Sequence, residues 1–355
     1  MKRCTRCILP ENYPGITFNE EGVCNYCVSH KKREYLGDEA LKEKIRTSLQ
    51  DRSDRNDNYD CVLALSGGRD SSYLLYYLVK VLNLRVLAYF IDNGFIPEAT
   101  QMNIKNMVDI LGVDLVIEKS EHLEKCLRHH LLSFIHKPSA PMVGLLCTGC
   151  RLGMSTMLPD FARRNRVPVT ISGSNPLDSR SFKTMIMALN PRAGEAKGSF
   201  VLGYLTQIIQ NPRWILNYGC LATQIQEYYH HYFQGRGKKK DLIGIAPFYS
   251  YTRWEEKTLV STIKNELHWR ETPGAQSTWR GDCDIALLKL YLYKKTLGYN
   301  DRDEGLSYLI RDGQISREEA LERLEEEGKI SEEVIKEILE RVGIDFSSLK
   351  TALES

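Results

Sequence analysis

The segment Ser-Gly-Gly-Arg-Asp-Ser at residues 66–71 constrains the fold of this chain most, because it joins an apolar strand to a helix. Residues 62–65, Val-Leu-Ala-Leu, read as a buried strand, and a helical pattern of leucines begins near Ser72. Gly67 and Gly68 let the backbone approach a ligand closely, and the start of a helix offers unpaired N–H groups. The segment therefore predicts a phosphate-binding loop. It is not a Walker loop, because no G-x-x-x-x-G-K-[ST] motif occurs in the chain.

The alternation of strands and helices continues beyond this loop. Apolar runs at residues 84–91, 113–118 and 167–172 predict three further strands, and residues 100–111 predict a helix. Apolar strands that alternate with helices are typical of a parallel sheet covered on both faces. We therefore expect a doubly wound α/β domain, with its ligand site beyond the carboxyl ends of the strands.

Length and charge narrow the class of protein. The 355 residues carry 48 Lys and Arg against 46 Asp and Glu, and a net charge of +2 gives no overall indication of nucleic-acid binding. No apolar run reaches transmembrane length, and the first residues do not resemble a signal peptide, which predicts a cytoplasmic protein. In that reducing compartment we expect the ten cysteines to be metal ligands or reactive thiols rather than disulfides.

Four cysteines near the N terminus have the spacing of a metal site. Cys4 and Cys7 are followed by Cys24 and Cys27, which gives C-x2-C-x16-C-x2-C and suits one tetrahedral Zn²⁺. A closed four-sulfur site leaves no position for a reactant, so we assign this zinc a structural role, with a redox cluster as the alternative. A polar module of this size needs such a metal to fold.

The motif S-G-G-x-D-S resembles the pyrophosphate loop of the ATP pyrophosphatases, whose fold is described as adenine nucleotide alpha hydrolase-like. The resemblance implies that Mg²⁺-ATP is cleaved between its α and β phosphates and that AMP is attached to a carbonyl or amide oxygen of an acceptor. A nitrogen or sulfur nucleophile then replaces that oxygen. The nucleotide-binding residues so implied are Ser66, Gly67, Gly68, Asp70, Ser71, Ser72, Asp92 and Gly173. Asp70 is also a candidate catalytic residue, and Asp178 is a candidate ligand of Mg²⁺.

Both ends of the chain resemble the N-acetyl sugar amidotransferases of surface-polysaccharide synthesis. At the N terminus the resemblance lies in the sequence around the four cysteines, and at the C terminus it lies in residues 297–299 and 303–320. It implies that ammonia from a partner glutaminase converts an acetamido group of a sugar into an acetamidino group.

A second set of cysteines indicates a different nucleophile. Cys147 and Cys150 form a C-x-x-C pair, and Cys220 follows at a distance. This trio is similar to that of tRNA thiolation enzymes, in which three thiolates hold a [4Fe-4S] cluster and one iron has no protein ligand. The alternatives are a persulfide on the C-x-x-C pair and buried structural cysteines. Cys283 is the alternative third ligand.

These patterns favour an ATP-dependent sulfurtransferase, because such a trio has a use in sulfur transfer and none in ammonia transfer. An amidotransferase is the second hypothesis, and a nucleotide-binding zinc adaptor is the third. The expected partners are a small-molecule or nucleobase acceptor, a sulfur donor or a glutaminase, and a second copy in a homodimer, with no membrane; tRNA is a candidate acceptor that the net charge does not indicate. The predicted layout is a zinc ribbon (1–35), a connecting segment (36–59), the nucleotide domain (60–235), a substrate-side extension (236–300) and a helical C-terminal region (301–355).

Overall fold

A sheet of five parallel strands, in the order β3-β2-β1-β4-β5, forms the centre of the protein. The computed structural model describes residues 1–50, 56–173, 180–187, 196–216, 222, 243–245, 248–273 and 277–354. The strands are β1 (Cys61–Ala64), β2 (Val86–Asp92), β3 (Asp114–Lys119), β4 (Val169–Ser172) and β5 (Ile243–Ile245). The predicted α/β fold with a parallel sheet is confirmed, and β5 is a strand that the sequence patterns did not predict.

The strand order reverses at β1. Ala64 at the end of β1 pairs with Tyr89 of β2 on one side and with Ser172 of β4 on the other. All four residues of β1 are buried, as expected for the continuous apolar strand at the middle of a parallel sheet. The chain segments that follow β1 and β4 therefore leave the sheet side by side, where open α/β sheets bind their ligands.

Helices precede, connect and follow these strands in the N-terminal part and in the sheet domain. They are α1 (Asn25–Val28), α2 (Asp38–Gln50), α3 (Arg69–Tyr76), α4 (Glu98–Leu111), α5 (Glu121–His136), α6 (Ala140–Leu145), α7 (Thr148–Arg164), α8 (Arg180–Met187), α9 (Ala196–Gln210) and α10 (Arg213–Leu216). The helix α3 begins at Arg69, three residues before the predicted start near Ser72, because Gly68 is its N-cap. Arg69 and Asp70 are thus part of the first helical turn.

Six helices follow in the C-terminal part of the chain: α11 (Glu256–Leu267), α12 (Asp284–Leu297), α13 (Asp301–Asp312), α14 (Arg317–Glu327), α15 (Glu332–Arg341) and α16 (Phe346–Glu354). Helix α14 has a side-chain N-cap, since the Ser316 hydroxyl accepts a hydrogen bond from the Glu319 N–H. Gly328 is its C-cap. No helix in the described part of the chain has the length and hydrophobicity of a bilayer-spanning segment.

The N-terminal cysteine module packs against helix α13. Arg3 forms an ion pair with Asp303 at 2.6 Å, and the Tyr13 hydroxyl donates to Glu304 Oε1 at 2.7 Å. Arg317, at the start of α14, donates to the Cys7 carbonyl at 3.1 Å. The two ends that resemble the sugar amidotransferases are therefore in contact with each other, while the predicted domain boundaries stay a prediction.

Candidate active site

The loop between β1 and α3 has the compact form that its glycines allow. Gly67 has φ +78°, and a Cβ there would lie 2.7 Å from Thr100 Cγ2 and 2.8 Å from Ile104 Cγ1 of helix α4. Both the backbone conformation and the lack of space therefore require glycine. The hydroxyls of Ser66 and Ser71 lie 3.0 Å apart at the same turn. The loop thus presents two hydroxyls beside the N terminus of α3, an arrangement suited to an anion.

The other predicted nucleotide-binding residues lie around this loop. A Cβ on Gly173, just after β4, would lie 3.2 Å from Ser71 Cα, so glycine permits the close approach of the two segments. Ser72 is fully buried, and its hydroxyl donates to the Gly68 carbonyl at 2.8 Å, which stabilises the first turn of α3. Asp92 lies at the end of β2 and accepts from the Gly94 N–H at 2.9 Å. Asp178 lies outside the described residues.

Aromatic side chains from residues 248–273 support the loop from one side. The Trp254 indole donates to Asp70 Oδ1 at 2.7 Å, and the Tyr249 hydroxyl donates to the Asp70 carbonyl at 3.2 Å. The Trp269 indole donates to the Gly67 carbonyl at 3.0 Å. The orientation of Asp70 and of the loop backbone therefore depends on residues that sequence motifs did not identify. The sequence contains a weak indication of this aromatic support, because three of the four tryptophans fall within residues 254–279.

Arg69, the variable residue of the motif, is only 2% exposed. Its guanidinium lies between the rings of Trp254 and Trp279, at 5.0 and 4.8 Å from their centroids. It donates to Glu256 Oε1 at 2.5 Å and to the Thr278 hydroxyl at 2.8 Å. Stacking and pairing of this kind offset the cost of burying a charge, so Arg69 fixes the loop to the C-terminal part of the chain.

The ion pair of Arg69 belongs to a chain of buried charges. Glu256 also binds Arg323 at 2.7 Å, Arg323 binds Glu327 at 3.0 Å, and Glu327 binds Arg302 at 3.1 Å. Burial alone would raise the pKa of Glu256, but the charges of Arg69 and Arg323 outweigh burial and lower that pKa. Glu256 is therefore ionised at neutral pH, and the charges connect the loop to helices α13 and α14.

The second glycine of the motif contacts a segment that leads to a cysteine. A Cβ on Gly68 would lie 2.8 Å from Asp282 Oδ2, so glycine leaves room for this carboxylate beside the loop. The next residue is Cys283, which is the N-cap of helix α12. The loop and Cys283 thus belong to one region of the protein.

Cys283 lies close to the predicted C-x-x-C pair. The Asn93 amide nitrogen, at the end of β2, is 3.5 Å from Cys150 Sγ and also 3.5 Å from Cys283 Sγ. Cys147 Sγ lies 3.5 Å from Lys289 Nζ, on the same helix α12 that Cys283 caps. Burial, followed by the neighbouring Cys150, raises the pKa of Cys283 well above its usual range. The predicted third ligand, Cys220, lies outside the described residues, whereas Cys283 is placed beside the pair.

The four N-terminal cysteines form a compact and buried group that fits a zinc ribbon. Cys4 Sγ lies 4.0 Å from Cys27 Sγ, and Cys7 Sγ lies 3.7 Å from Cys24 Sγ. Zinc–sulfur bonds of about 2.3 Å in a tetrahedron place neighbouring sulfurs roughly 3.8 Å apart.

Comparisons of sequence connect part of this site with known proteins. Residues 274–355 match the family described as LPS biosynthesis protein WbpG-like, C-terminal domain. An uncharacterized protein of Methanocaldococcus jannaschii is 27% identical over 125 residues, which cover 34% of this chain and 44% of that protein. The match therefore spans less than half of that relative's length.

Comparisons of structure give three similar proteins. The U34-tRNA thiolase NcsA from Methanococcus maripaludis, solved with its [4Fe-4S] cluster, has a TM-score of 0.36 and 16% identity, covering 93% of this chain and 91% of that one. The NH3-dependent NAD synthetase from Campylobacter jejuni has a TM-score of 0.30 and 13% identity, over 56% of this chain and 94% of that one. The NMN synthetase from Francisella tularensis has a TM-score of 0.28 and 14% identity, over 59% and 98%. Sequence identities and TM-scores as low as these do not assign a function, which has to be argued from the residues of the site.

Proposed function

We propose that this chain is an ATP-dependent amidotransferase, which adenylates the carbonyl oxygen of an acetamido group on a sugar and replaces that oxygen with nitrogen from ammonia. One observation carries the proposal. The segment that matches the WbpG-like C-terminal domain, residues 274–355, forms part of the wall of the nucleotide loop through Trp279 and Asp282. The similarity to LPS biosynthesis proteins thus concerns residues at the candidate active site.

The N-terminal end supports the same proposal. The cysteine module, whose sequence resembles the sugar amidotransferases, binds helix α13 of the matched segment through Arg3, Tyr13 and their acidic partners. Residues from both ends of the chain thus belong to one structural unit. Contact between the two ends supports one activity shared by both, rather than two segments with unrelated functions.

The reaction has two balanced steps. The acetamido oxygen attacks the α phosphorus of ATP, a new O–P bond forms, and pyrophosphate leaves. Ammonia then adds to the activated carbon, a proton is lost, and AMP departs with the original oxygen to leave an amidine. In this proposal the hydroxyls of Ser66 and Ser71 and the N terminus of α3 hold the pyrophosphate, and Asp70 is oriented towards the nucleotide by Trp254.

Sulfur transfer is the second candidate, and the cysteines beside the loop favour it. The sequence argument for sulfur depended on a third cysteine outside the region that resembles the amidotransferases. Cys283 lies inside the matched segment, between the loop and the C-x-x-C pair. A thiol group in this position is therefore compatible with either nucleophile, and the match of the C-terminal segment supports nitrogen.

The experiment traces the carbonyl oxygen of the acceptor's acetamido group into the products. The full chain is incubated with Mg²⁺-ATP and nucleotide-activated 2-acetamido sugars that carry heavy oxygen at the acetamido carbonyl, with either ammonium or sulfide as nucleophile. We expect pyrophosphate, heavy oxygen in AMP, and an amidine product with ammonium. A thioamide formed only with sulfide would establish the second candidate instead. Absence of pyrophosphate with every acceptor would contradict both and favour the adaptor hypothesis.

Two variants connect this activity with the loop. Ser71→Ala removes a loop hydroxyl, and Ser348→Ala removes an exposed hydroxyl on helix α16 as the matched control. We expect pyrophosphate release to fall about tenfold or more in Ser71→Ala, which corresponds to the loss of one hydrogen bond to a charged group. The control is expected to keep its activity. Equal rates in the two variants would exclude the loop as the nucleotide site.

A further inference from the structure

We infer that Cys147, Cys150 and Cys283 together bind a [4Fe-4S] cluster, with Cys283 as the third protein ligand in place of Cys220, and that Lys289 balances the negative charge of this site. The inference goes beyond the proposed function and applies to either nucleophile. It begins with Asn93, whose side-chain nitrogen lies 3.5 Å from two of the sulfurs. Those two sulfurs are therefore within twice that distance of each other.

The three thiols differ from the N-terminal four in exposure and spacing. All three are partly exposed, whereas the zinc-ribbon cysteines are buried. The sulfurs of Cys4, Cys7, Cys24 and Cys27 all lie within 4.8 Å of one another. Among the described residues, the other three cysteines do not form such a compact group. The wider spacing of Cys147, Cys150 and Cys283 suits a cluster better than a single zinc ion, because zinc would hold its thiolate sulfurs roughly 3.8 Å from one another.

Helix termini make the surroundings of these sulfurs electropositive. Cys147 is the N-cap of α7, Cys150 lies in the first turn of the same helix, and Cys283 is the N-cap of α12. Two long helices therefore direct their positive ends towards one group of sulfurs, an arrangement that favours the binding of an anionic group there.

Lys289 supplies a full positive charge to the same place. It is 6% exposed, and its ammonium donates a hydrogen bond to Cys147 Sγ at 3.5 Å. A buried ammonium needs an anionic partner. A [4Fe-4S] cluster with three thiolate ligands carries a net negative charge and meets this requirement, whereas three neutral thiols do not.

A small cavity adjoins Cys150 and Asn93. Its remaining walls are apolar and include Phe95, Leu127 and Ile285. Low polarity around a cluster limits access of water and is one of the means by which a protein tunes its potential. The donor set, the charge and the surroundings are thus consistent with one cluster site beside the nucleotide loop.

The test compares cysteine variants of the full chain, purified and reconstituted without oxygen. Iron, acid-labile sulfide and visible absorption are measured in the unchanged chain and in Cys283→Ala, Cys220→Ala and Cys126→Ala. We expect about four iron ions per chain in all but Cys283→Ala, which is expected to lose most of its iron. Loss in Cys220→Ala with retention in Cys283→Ala would overturn the assignment, as would absence of iron from the reconstituted unchanged chain. Zinc content and circular dichroism verify that each variant is folded.

Lys289 is tested by the reduction potential, which a purely structural role would not move. Lys289→Met keeps all three thiols and removes the charge, so the potential is expected to shift to more negative values because the reduced, more anionic cluster loses a neighbouring cation. Lys289→Arg is the matched control and is expected to keep a potential close to that of the unchanged chain. An unchanged potential in Lys289→Met would contradict the role of this residue.

Discussion

The Trp254 indole donates a hydrogen bond to Asp70 Oδ1 at 2.7 Å across 184 residues of sequence. Asp70 lies in the first turn of α3, and Trp254 also covers the guanidinium of Arg69. A single side chain therefore orients the acidic residue of the loop motif and shields its neighbouring charge.

We expect Trp254→Phe to weaken ATP binding about tenfold, because phenylalanine keeps a ring over Arg69 but loses the hydrogen bond to the Asp70 carboxylate. Isothermal titration with ATP in the presence of Mg²⁺ measures the effect. A double-mutant cycle with Asp70→Asn separates the loss of this hydrogen bond from a general loss of packing. The effects of Trp254→Phe and Asp70→Asn on ATP affinity are expected to be less than additive. Full additivity would mean that the indole does not act through Asp70.

Gly68→Ala is expected to lower ATP affinity, because its Cβ would lie 2.8 Å from Asp282 Oδ2. Either the loop or the carboxylate then has to move, at a cost of about 1–3 kcal/mol. Adding Asp282→Ala removes the obstacle, so Gly68→Ala with Asp282→Ala is expected to recover part of the affinity. If the double variant binds ATP no better than Gly68→Ala alone, the contact between these residues does not set the shape of the loop.

Glu256→Gln is expected to destabilise the protein by about 3 kcal/mol at neutral pH, because it removes the nearer of the two carboxylates beside the buried Arg69 and leaves only Asp70, at 3.7 Å. The pKa of Glu256 is lowered in the folded state, so its ionised form stabilises the fold above the ordinary value of 4.5, and this contribution is lost as the pH falls through the lowered value. The difference in free energy of unfolding between the two chains should therefore shrink in acid. Urea unfolding across this range measures it.

The matched control for this prediction is Glu255→Gln, at the neighbouring and more exposed position. Surface ion pairs contribute little, so we expect a change below about 1 kcal/mol that hardly depends on pH. Equal losses in the two variants would contradict a special role for the buried pair.

Removal of zinc is expected to destabilise the C-terminal helices as well as the N-terminal module. Arg3 and Tyr13 of the module bind helix α13, and a module that unfolds without metal releases both contacts. Hydrogen exchange before and after treatment with a chelator should reveal faster exchange in α13 than in β2. Loss of zinc with unchanged exchange in α13 would mean that the two parts are energetically independent.

The sequence predicted the features that depend on neighbouring residues. The loop and four of the strands have local patterns, because a buried strand needs a continuous apolar run. The glycines of the loop were predicted for the correct reason, namely close approach of the backbone.

The contacts that complete the site could not be predicted in the same way. The roles of Trp254 and Glu256 depend on the path of the chain back to the loop after many intervening residues, and no periodicity encodes that path. The third cysteine illustrates the same limit, since spacing alone left Cys220 and Cys283 open. Cys283 becomes distinguishable only when the end of β2 and the start of α12 are placed side by side, with Asn93 between the sulfurs.

The buried charges around Arg69 have a consequence for the order in which the protein can mature. During synthesis the loop leaves the ribosome well before Glu256, which is 187 residues further on, and before Arg323, which is another 67 residues away. Until both have emerged, Arg69 lacks its ion pair with Glu256, and Glu256 lacks its ion pair with Arg323. A nascent chain therefore carries the nucleotide motif for most of its synthesis in an unfinished form, and the ability to bind ATP is expected to arise only when helix α14 docks.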